Sequence, residues 1–162
     1  MIHKSRLLSL RLSGILRKKG FTLAAAESCS GGLFSSLITD TPGASGYFLL
    51  GVVAYGSLQK KRLLKIPGTT LEKYSPVSPQ AASLMAKNIK KIAGADIGIS
   101  LTGYAGPSGG TKKDPKGTVY IAISFKGKTR VKKYLFKGTR TAVKEKAVYQ
   151  ALKMLDNILV ER

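Results

Sequence analysis

The sequence predicts one α/β domain, a three-layer α/β/α sandwich with a mostly parallel, mixed sheet. Apolar segments with strand character alternate along the chain with segments of helical periodicity, which is typical of folds that place helices on both faces of a sheet. Lys126-Gly127 separates the last two strands, which predicts a hairpin and so an antiparallel pairing. The chain has 162 residues, 43% of them apolar, and we expect residues 1–162 to share one core.

The helices are predicted from apolar residues that recur every three or four positions. Gly20 is expected to end the first helix in the left-handed conformation, and Ser78-Pro79 supplies an N-cap and a first-turn proline to a later one. That later helix is expected to bury Ala81, Met85, Ile89 and Ile92. The remaining helices are predicted over 28–39, 57–65 and 139–160.

Strands are predicted over 21–27, 48–55 and 95–101, followed by a hairpin whose first strand alternates from Val119 to Phe125 and whose second covers 128–136. The run FLLGVVAY at 48–55 is almost continuously apolar, which predicts burial on both faces. We find no signal peptide and no apolar stretch near the ~20 residues that a membrane span requires. We therefore expect a cytoplasmic protein with no membrane partner.

The chain has one cysteine and one histidine, and these counts exclude several catalytic mechanisms. Cys29 is the only cysteine, so an intrachain disulfide framework is excluded and a reducing compartment is expected. His3 is the only histidine, and a serine–histidine triad, a cysteine–histidine pair and a multi-ligand zinc site all need residues that the chain lacks. A catalyst built from this sequence must use Ser, Thr, Lys, Tyr or carboxylates.

The chain is strongly basic, with 28 Lys and Arg against 8 Asp and Glu, a net charge of +20. Such a surface attracts anionic substrates and can hold nucleic acid through non-specific charge. Because 21 of the 28 cations are Lys, the composition argues against specific base recognition. Solvated surface lysines are the simpler interpretation.

Ligands of α/β sheets bind beyond the carboxyl ends of the strands, so we searched the three predicted strand exits. The first, ESCSGG, passes from a strand towards a helix and places Ser28 near backbone N–H groups that could stabilise an oxyanion. Gly31 and Gly32 would let a substrate approach the backbone. An ordinary N-cap at Ser28 or Ser30 with packing glycines explains the same pattern.

The second exit, at residues 55–61, offers what a serine without histidine requires, a basic group whose pKa can be lowered. Partial burial and neighbouring positive charge both disfavour a lysine ammonium and leave an amine that can accept a hydroxyl proton. Lys60, Lys61 and Arg62 cluster after Tyr55, whose phenol could orient a proton. A basic helix start that faces solvent remains the alternative.

The third exit, TGYAGPSGG, follows an apolar strand and exposes backbone amides and the Thr102 hydroxyl. It lacks the lysine and hydroxyl of a Walker A loop and does not match the dinucleotide fingerprint. A plain tight loop is the alternative to a binding site.

Taken together, ESCSGG, GVVAYGSLQKKRLL, TGYAGPSGG, GTVYIAI and FKGTR, in this order, closely resemble the CinA C-terminal domain family. The resemblance runs from about Thr22 to Leu159. It implies an α/β sandwich and a nicotinamide-nucleotide amidase, which hydrolyses the carboxamide of nicotinamide mononucleotide to nicotinate mononucleotide and ammonia without a metal or organic cofactor. It also implies a small-molecule nucleotide substrate, a homo-oligomer and the stand-alone form of the amidase.

Carried over to this sequence, the resemblance implies Ser28 as nucleophile, Lys60 rather than Lys61 as base, and Tyr55 as the group that orients the lysine. The positions implied for substrate binding are Ser30, Gly31, Gly32, Thr102, Gly103, Ala105, Gly106, Gly109, Gly110 and, near the phosphate, Arg140.

The chain departs from the family pattern at a few positions. Ser30 replaces the usual Thr, Gly56-Ser57 replaces the commoner Ser-Asn, and Lys116 interrupts the usual Lys-Pro-Val. A nucleic-acid-associated basic protein and a catalytically silent nucleotide-binding member of the family are the alternatives to the amidase.

Overall fold

The computed structural model describes residues 1–160 and contains five strands in one sheet. The strands are β1 (Leu23–Glu27), β2 (Phe48–Val53), β3 (Ile97–Gly103), β4 (Thr118–Phe125) and β5 (Lys128–Leu135). The helices are α1 (Ile2–Lys19), α2 (Leu33–Thr39), α3 (Ser57–Leu64), α4 (Gly68–Tyr74), α5 (Pro79–Ala93) and α6 (Arg140–Val160). None of the helices in the described range is long and apolar enough to cross a membrane.

The sheet has the order β2-β1-β3-β4-β5 and is mixed. β1 pairs in parallel with both β2 and β3, whereas β4 is antiparallel to β3 and to β5. Four of the five strands therefore point the same way, which confirms the predicted mostly parallel, mixed sheet. The predicted hairpin also forms, because Lys126 and Gly127 both adopt positive φ, 47° and 74°, as a two-residue turn of this type requires.

Two helical layers enclose the sheet and complete the predicted sandwich. On one face, α1, α2 and α6 bury residues such as Leu12, Phe34 and Leu152 against alternate side chains of β1, β3 and β4. On the other, α3, α4 and α5 pack on β1, and α5 extends the contact to β4. Gly98 permits this contact, since a Cβ there would lie 2.0 Å from the Ala86 carbonyl oxygen of α5.

Several local predictions were correct and others were wrong. Gly20 ends α1 in the left-handed conformation, and the Ser78 hydroxyl accepts the Ala81 N–H at the start of α5. The sequence did not predict α4, and Ile92, expected on the inner face of α5, is 47% exposed at the last turn of that helix.

The predicted burial of both faces of the second strand was also wrong. β2 lies at the edge of the sheet, and its burial alternates, with Leu49 and Val53 close to half exposed. The exposed face of β2 also carries apolar residues, so its sequence pattern is the same as that of a strand buried on both faces.

The helix predicted over 28–39 begins only at Leu33. Gly31 and Gly32 have positive φ, 61° and 93°, and with Ser28 to Ser30 they form a separate turn before α2. Ser28 therefore lies in that turn and not at the N-cap of α2.

Glu27 fills the N-terminus of α2. Its fully buried carboxylate accepts hydrogen bonds from the N–H groups of Gly32, Phe34 and Ser35 and from the Ser35 hydroxyl, at 2.6–3.1 Å. A negative charge is stabilised there by the unpaired amides and by the helix dipole. The carboxylate thus connects the end of β1 to the start of α2.

We expect Glu27→Gln to lower the free energy of unfolding by about 2–4 kcal/mol, since the amide presents N–H donors to backbone donors in a buried site. Urea unfolding followed by circular dichroism would measure the change. Glu72→Gln, on an exposed side chain, is the matched control and should shift stability by less than about 0.5 kcal/mol. Equal stability of the Glu27 variant and the wild type would contradict this account of the cap.

Candidate active site

Three strand exits meet at one edge of the sheet, as the sequence predicted. β2, β1 and β3 are adjacent and parallel, so their carboxyl ends lie side by side. The turn after β1 carries Ser28, the segment after β2 leads to Tyr55 and Lys60, and the loop after β3 begins at Gly103. Residues far apart in the sequence therefore border a single cleft.

Ser28 is fixed by its backbone. Its N–H donates to the Leu101 carbonyl of β3, and its own carbonyl accepts the Gly31 N–H, at 3.0 and 3.1 Å. The side chain is 6% exposed and faces the cleft. The turn thus presents the hydroxyl at the floor of the cleft with little freedom to move.

Lys60 lies on the inner face of α3, an otherwise exposed and basic helix. Lys60 and Leu64, four residues apart, are the two buried residues of that helix. The Lys60 Nζ donates to Ser28 Oγ at 2.9 Å, and the side chain is only 2% exposed. The structure therefore brings together the two residues for which the sequence predicted nucleophile and base.

Burial is the main influence on the Lys60 amine. Removal of the ammonium from water lowers the pKa of Lys60 from 10.5 to about 8. The same physical cause acts in the opposite direction on Cys29, whose thiol has a pKa raised to about 12. At neutral pH the site thus holds an inert thiol beside an amine that loses its proton easily.

Tyr55 has a different partner from the one expected. Its hydroxyl accepts a hydrogen bond from Arg140 Nη2, and the side chain is 58% exposed. Arg140 Nη1 donates to the Gly106 carbonyl at 2.7 Å, so the guanidinium joins the second and third strand exits. Tyr55 and Arg140 together form the rim of the cleft, whereas Lys60 is positioned by α3 itself.

The cleft has a volume of about 240 Å³. Six residues predicted from the sequence line it: Ser28, Tyr55, Lys60, Gly103, Ala105 and Arg140. Its described lining contains two cations and no carboxylate. The cleft is consequently suited to a ligand with an anionic group at the rim.

Some predicted binding residues support the cleft from behind its wall. Thr102 is fully buried, and its hydroxyl donates to the Pro76 carbonyl at 2.8 Å, which holds the neighbouring wall in place. Ser30 is fully buried too, and its Oγ has no hydrogen-bond partner among residues 1–160. Gly106 contributes the carbonyl that Arg140 binds.

The remaining predicted glycines are not part of the cleft lining. Gly31 lies beside the Lys144 amine, 3.4 Å from the position that a Cβ would take, and Gly32 lies beside Val53. In the loop after β3, Gly109 packs against the Tyr104 ring, and Gly110 approaches the backbone of Lys116. These positions shape the two loops that carry the lining residues.

Sequence reasoning did not assign six further residues to the lining: Cys29, Gly56, Ser57, Pro76, Val77 and Tyr104. Four of these residues lie inside the recognised motifs, next to predicted site residues: Cys29, Gly56, Ser57 and Tyr104. Their position in the sequence could therefore have identified them as lining residues. Pro76 and Val77 come from the connection between α4 and α5, and no motif marks them. Among the residues that the structure describes, no group of three or more His, Cys, Asp or Glu side chains could hold a metal ion.

Comparison with known proteins shows the family of the chain. The model of the CinA C-terminal domain family matches residues 6–159. A CinA-like protein of Citrifermentans bemidjiense is 41% identical over 94% of this chain and 37% of its own length. A CinA-like protein of Desulfotalea psychrophila is 44% identical over 90% of this chain and 35% of its own length. The chain thus spans about a third of the length of these curated relatives.

Solved structures resemble the chain over nearly its whole length. The crystal structure of a competence-damaged protein (CinA) superfamily protein from Klebsiella pneumoniae has a TM-score of 0.94 and 33% identity, and the match covers 98% of this chain and 99% of that one. A competence/damage inducible protein from Agrobacterium tumefaciens has a TM-score of 0.93 and 29% identity over 96% of this chain and 95% of its own. The chain belongs to the CinA C-terminal domain family.

Proposed function

We propose that the chain is a nicotinamide-nucleotide amidase that converts nicotinamide mononucleotide to nicotinate mononucleotide and ammonia. The observation that carries the proposal is the 2.9 Å hydrogen bond between Ser28 Oγ and a buried Lys60 amine at the floor of the cleft. A serine activated by a lysine of lowered pKa is a known arrangement for acyl transfer without histidine. Membership of the CinA family supports the substrate class.

In the first step, Lys60 accepts the Ser28 hydroxyl proton while Ser28 Oγ bonds to the carboxamide carbon. With a pKa of about 8, roughly a tenth of the Lys60 side chains are neutral at pH 7 and can accept this proton. The tetrahedral intermediate then breaks its C–N bond. Lys60 returns the proton to the departing nitrogen, and ammonia leaves an ester on Ser28.

The oxyanion of this intermediate requires N–H donors, and we assign them to the turn itself. The amides of α2 at Gly32, Phe34 and Ser35 are already occupied by Glu27, so the helix N-terminus that the sequence suggested is not available. The N–H groups of Cys29 and Ser30 follow the nucleophile directly and are not used by Glu27. The amide after a nucleophile is a common oxyanion donor.

In the second step, water hydrolyses the ester. Lys60 accepts a proton from water as its oxygen bonds to the acyl carbon, and the proton passes to Ser28 Oγ when the ester bond breaks. Ser28 and Lys60 regain their starting states, and the product, formed as a carboxylic acid, releases its proton to solvent and leaves as a carboxylate. These steps use no metal or organic cofactor.

The dimensions and charge of the cleft support a nucleotide substrate. A volume of about 240 Å³ has room for a pyridine ring with its carboxamide. Arg140 at the rim offers its positive charge to that phosphate. A homo-oligomeric state stays a prediction from the resemblance, and a cytoplasmic location stays a prediction from the sequence.

Replacement of the nucleophile is the direct test. We expect Ser28→Ala to reduce ammonia release from nicotinamide mononucleotide by at least about 10³-fold, because the acylation step loses its attacking oxygen. Cys29→Ala is the matched control in the adjacent position and should retain most of the activity, since the thiol is protonated at neutral pH. Loss of activity in the Cys29 variant with retention in the Ser28 variant would reverse the assignment.

The second test uses pH. Because Lys60 must be neutral to act, kcat/KM should rise about tenfold per pH unit below the pKa of about 8 and level off above it. Lys60→Met should make kcat/KM independent of pH in this range and lower the rate by about 10³-fold. Lys61→Ala, on the exposed face of α3, should keep both the rate and the pH dependence of the wild type. A wild-type profile that is flat between pH 6 and about 9 would rule out Lys60 as the base.

A further inference from the structure

A basic hollow lies at the end of the sheet opposite the cleft. It is formed by the last turns of α5 and the β4–β5 hairpin, and it has a volume of about 490 Å³. Lys87, Lys90 and Lys91 line one side, and the hydroxyl-bearing residues Ser124 and Thr129 line the other. No carboxylate lines this hollow in the part of the chain that the structure describes.

Two further lysines of the hairpin lie on the opposite face of the sheet, the face that carries Phe21 and Phe125. Lys126 occupies the turn, with its amine 5.2 Å from the centre of the Phe125 ring and 5.6 Å from that of Phe21. Lys128 follows as an exposed residue of the edge strand β5. We call the surface formed by Lys87, Lys90 and Lys91 together with Ser124 and Thr129 the hairpin basic surface.

One carboxylate lies close to this surface. Asp96 precedes β3, whose first residue pairs with Phe125, and its carboxylate accepts from the Thr22 N–H and hydroxyl at 2.8 Å. These hydrogen bonds, with a smaller contribution from Lys90, lower the pKa of Asp96. One carboxylate against three lysines leaves the surface positive.

We propose that the hairpin basic surface binds the phosphodiester backbone of a single-stranded nucleic acid, without reading its sequence. Lysines act as point charges on phosphates, and hydroxyl groups such as those of Ser124 and Thr129 add donors to phosphate oxygens. A concave hollow admits a flexible strand.

This surface is independent of the proposed amidase. The cleft lies at the carboxyl ends of β1, β2 and β3, whereas the hairpin turn lies beside Ile97, the first residue of β3. Nucleic-acid binding would also give a physical reason for a net charge of +20, which the chemistry of Ser28 and Lys60 does not require.

Fluorescence anisotropy of a short labelled single-stranded DNA of mixed sequence tests the proposal. We expect the full chain to bind this DNA. The logarithm of the association constant should fall linearly with the logarithm of the salt concentration between about 50 and 200 mM. The triple variant Lys87→Gln, Lys90→Gln, Lys91→Gln should bind at least about tenfold more weakly and lose about 2 from the salt slope. Its ammonia release should equal that of the wild type.

A second triple variant controls for total charge. Lys4→Gln, Lys73→Gln, Lys153→Gln removes three exposed lysines that are not part of the hairpin basic surface and gives the same net charge. It should bind DNA as the wild type does. Ser28→Ala should bind equally well, so that failure of the amidase proposal and failure of this one give different results.

Three results would overturn the proposal. Equal weakening by both triple variants would show attraction by diffuse charge rather than at this surface. Duplex DNA bound as tightly as the single strand would contradict the assigned occupant. Absence of binding at about 50 mM salt would remove the surface as a nucleic-acid site.

Discussion

The site depends on a lysine that is buried and has no carboxylate partner within residues 1–160. Transfer of an ammonium from water into protein is unfavourable, and the cost is reduced when the amine gives up its proton. The fold imposes this on Lys60 because α3 directs its inner face, with Leu64, against the sheet. The Lys60 amine donates to Ser28 Oγ, so the same burial that lowers the pKa also aligns the proposed base with the proposed nucleophile.

Glu27 places a second buried charge one residue from Ser28, the proposed nucleophile. The site can contain this carboxylate because Glu27 does not pair with Lys60. If Glu27 paired with Lys60, the ion pair would raise the pKa of the lysine and remove it as a base. The N-terminus of α2 instead provides three amides and a hydroxyl for the carboxylate. Gly31 and Gly32 make this geometry accessible, since their positive φ values reverse the chain between Ser28 and the helix. The backbone geometry thus keeps the Glu27 carboxylate from pairing with the Lys60 amine.

The sequence predicted the layers of the fold, because periodicity and the Lys126-Gly127 turn are local signals. It also directed the search to the strand exits that carry Ser28 and Lys60, whereas the choice of Lys60 rather than Lys61 came from the resemblance to the family. It did not predict the edge position of β2, the late start of α2 or the pairing of Tyr55 with Arg140. Each of these depends on which segments become neighbours in space. Pro76 and Val77 enter the cleft for the same reason, through the Thr102 hydrogen bond to the Pro76 carbonyl.

The state of Lys60 in the folded protein is therefore the property to measure first. NMR of chain labelled with ¹³C at lysine Cε, with the Lys60 signal assigned by its absence from Lys60→Met, gives the pKa of each lysine directly. The account predicts that Lys60 titrates at a pKa of about 8, separate from the exposed lysines. A Lys60 signal that titrates near the ordinary value of 10.5 would contradict it, because the amine would then be fully protonated wherever the enzyme is expected to act.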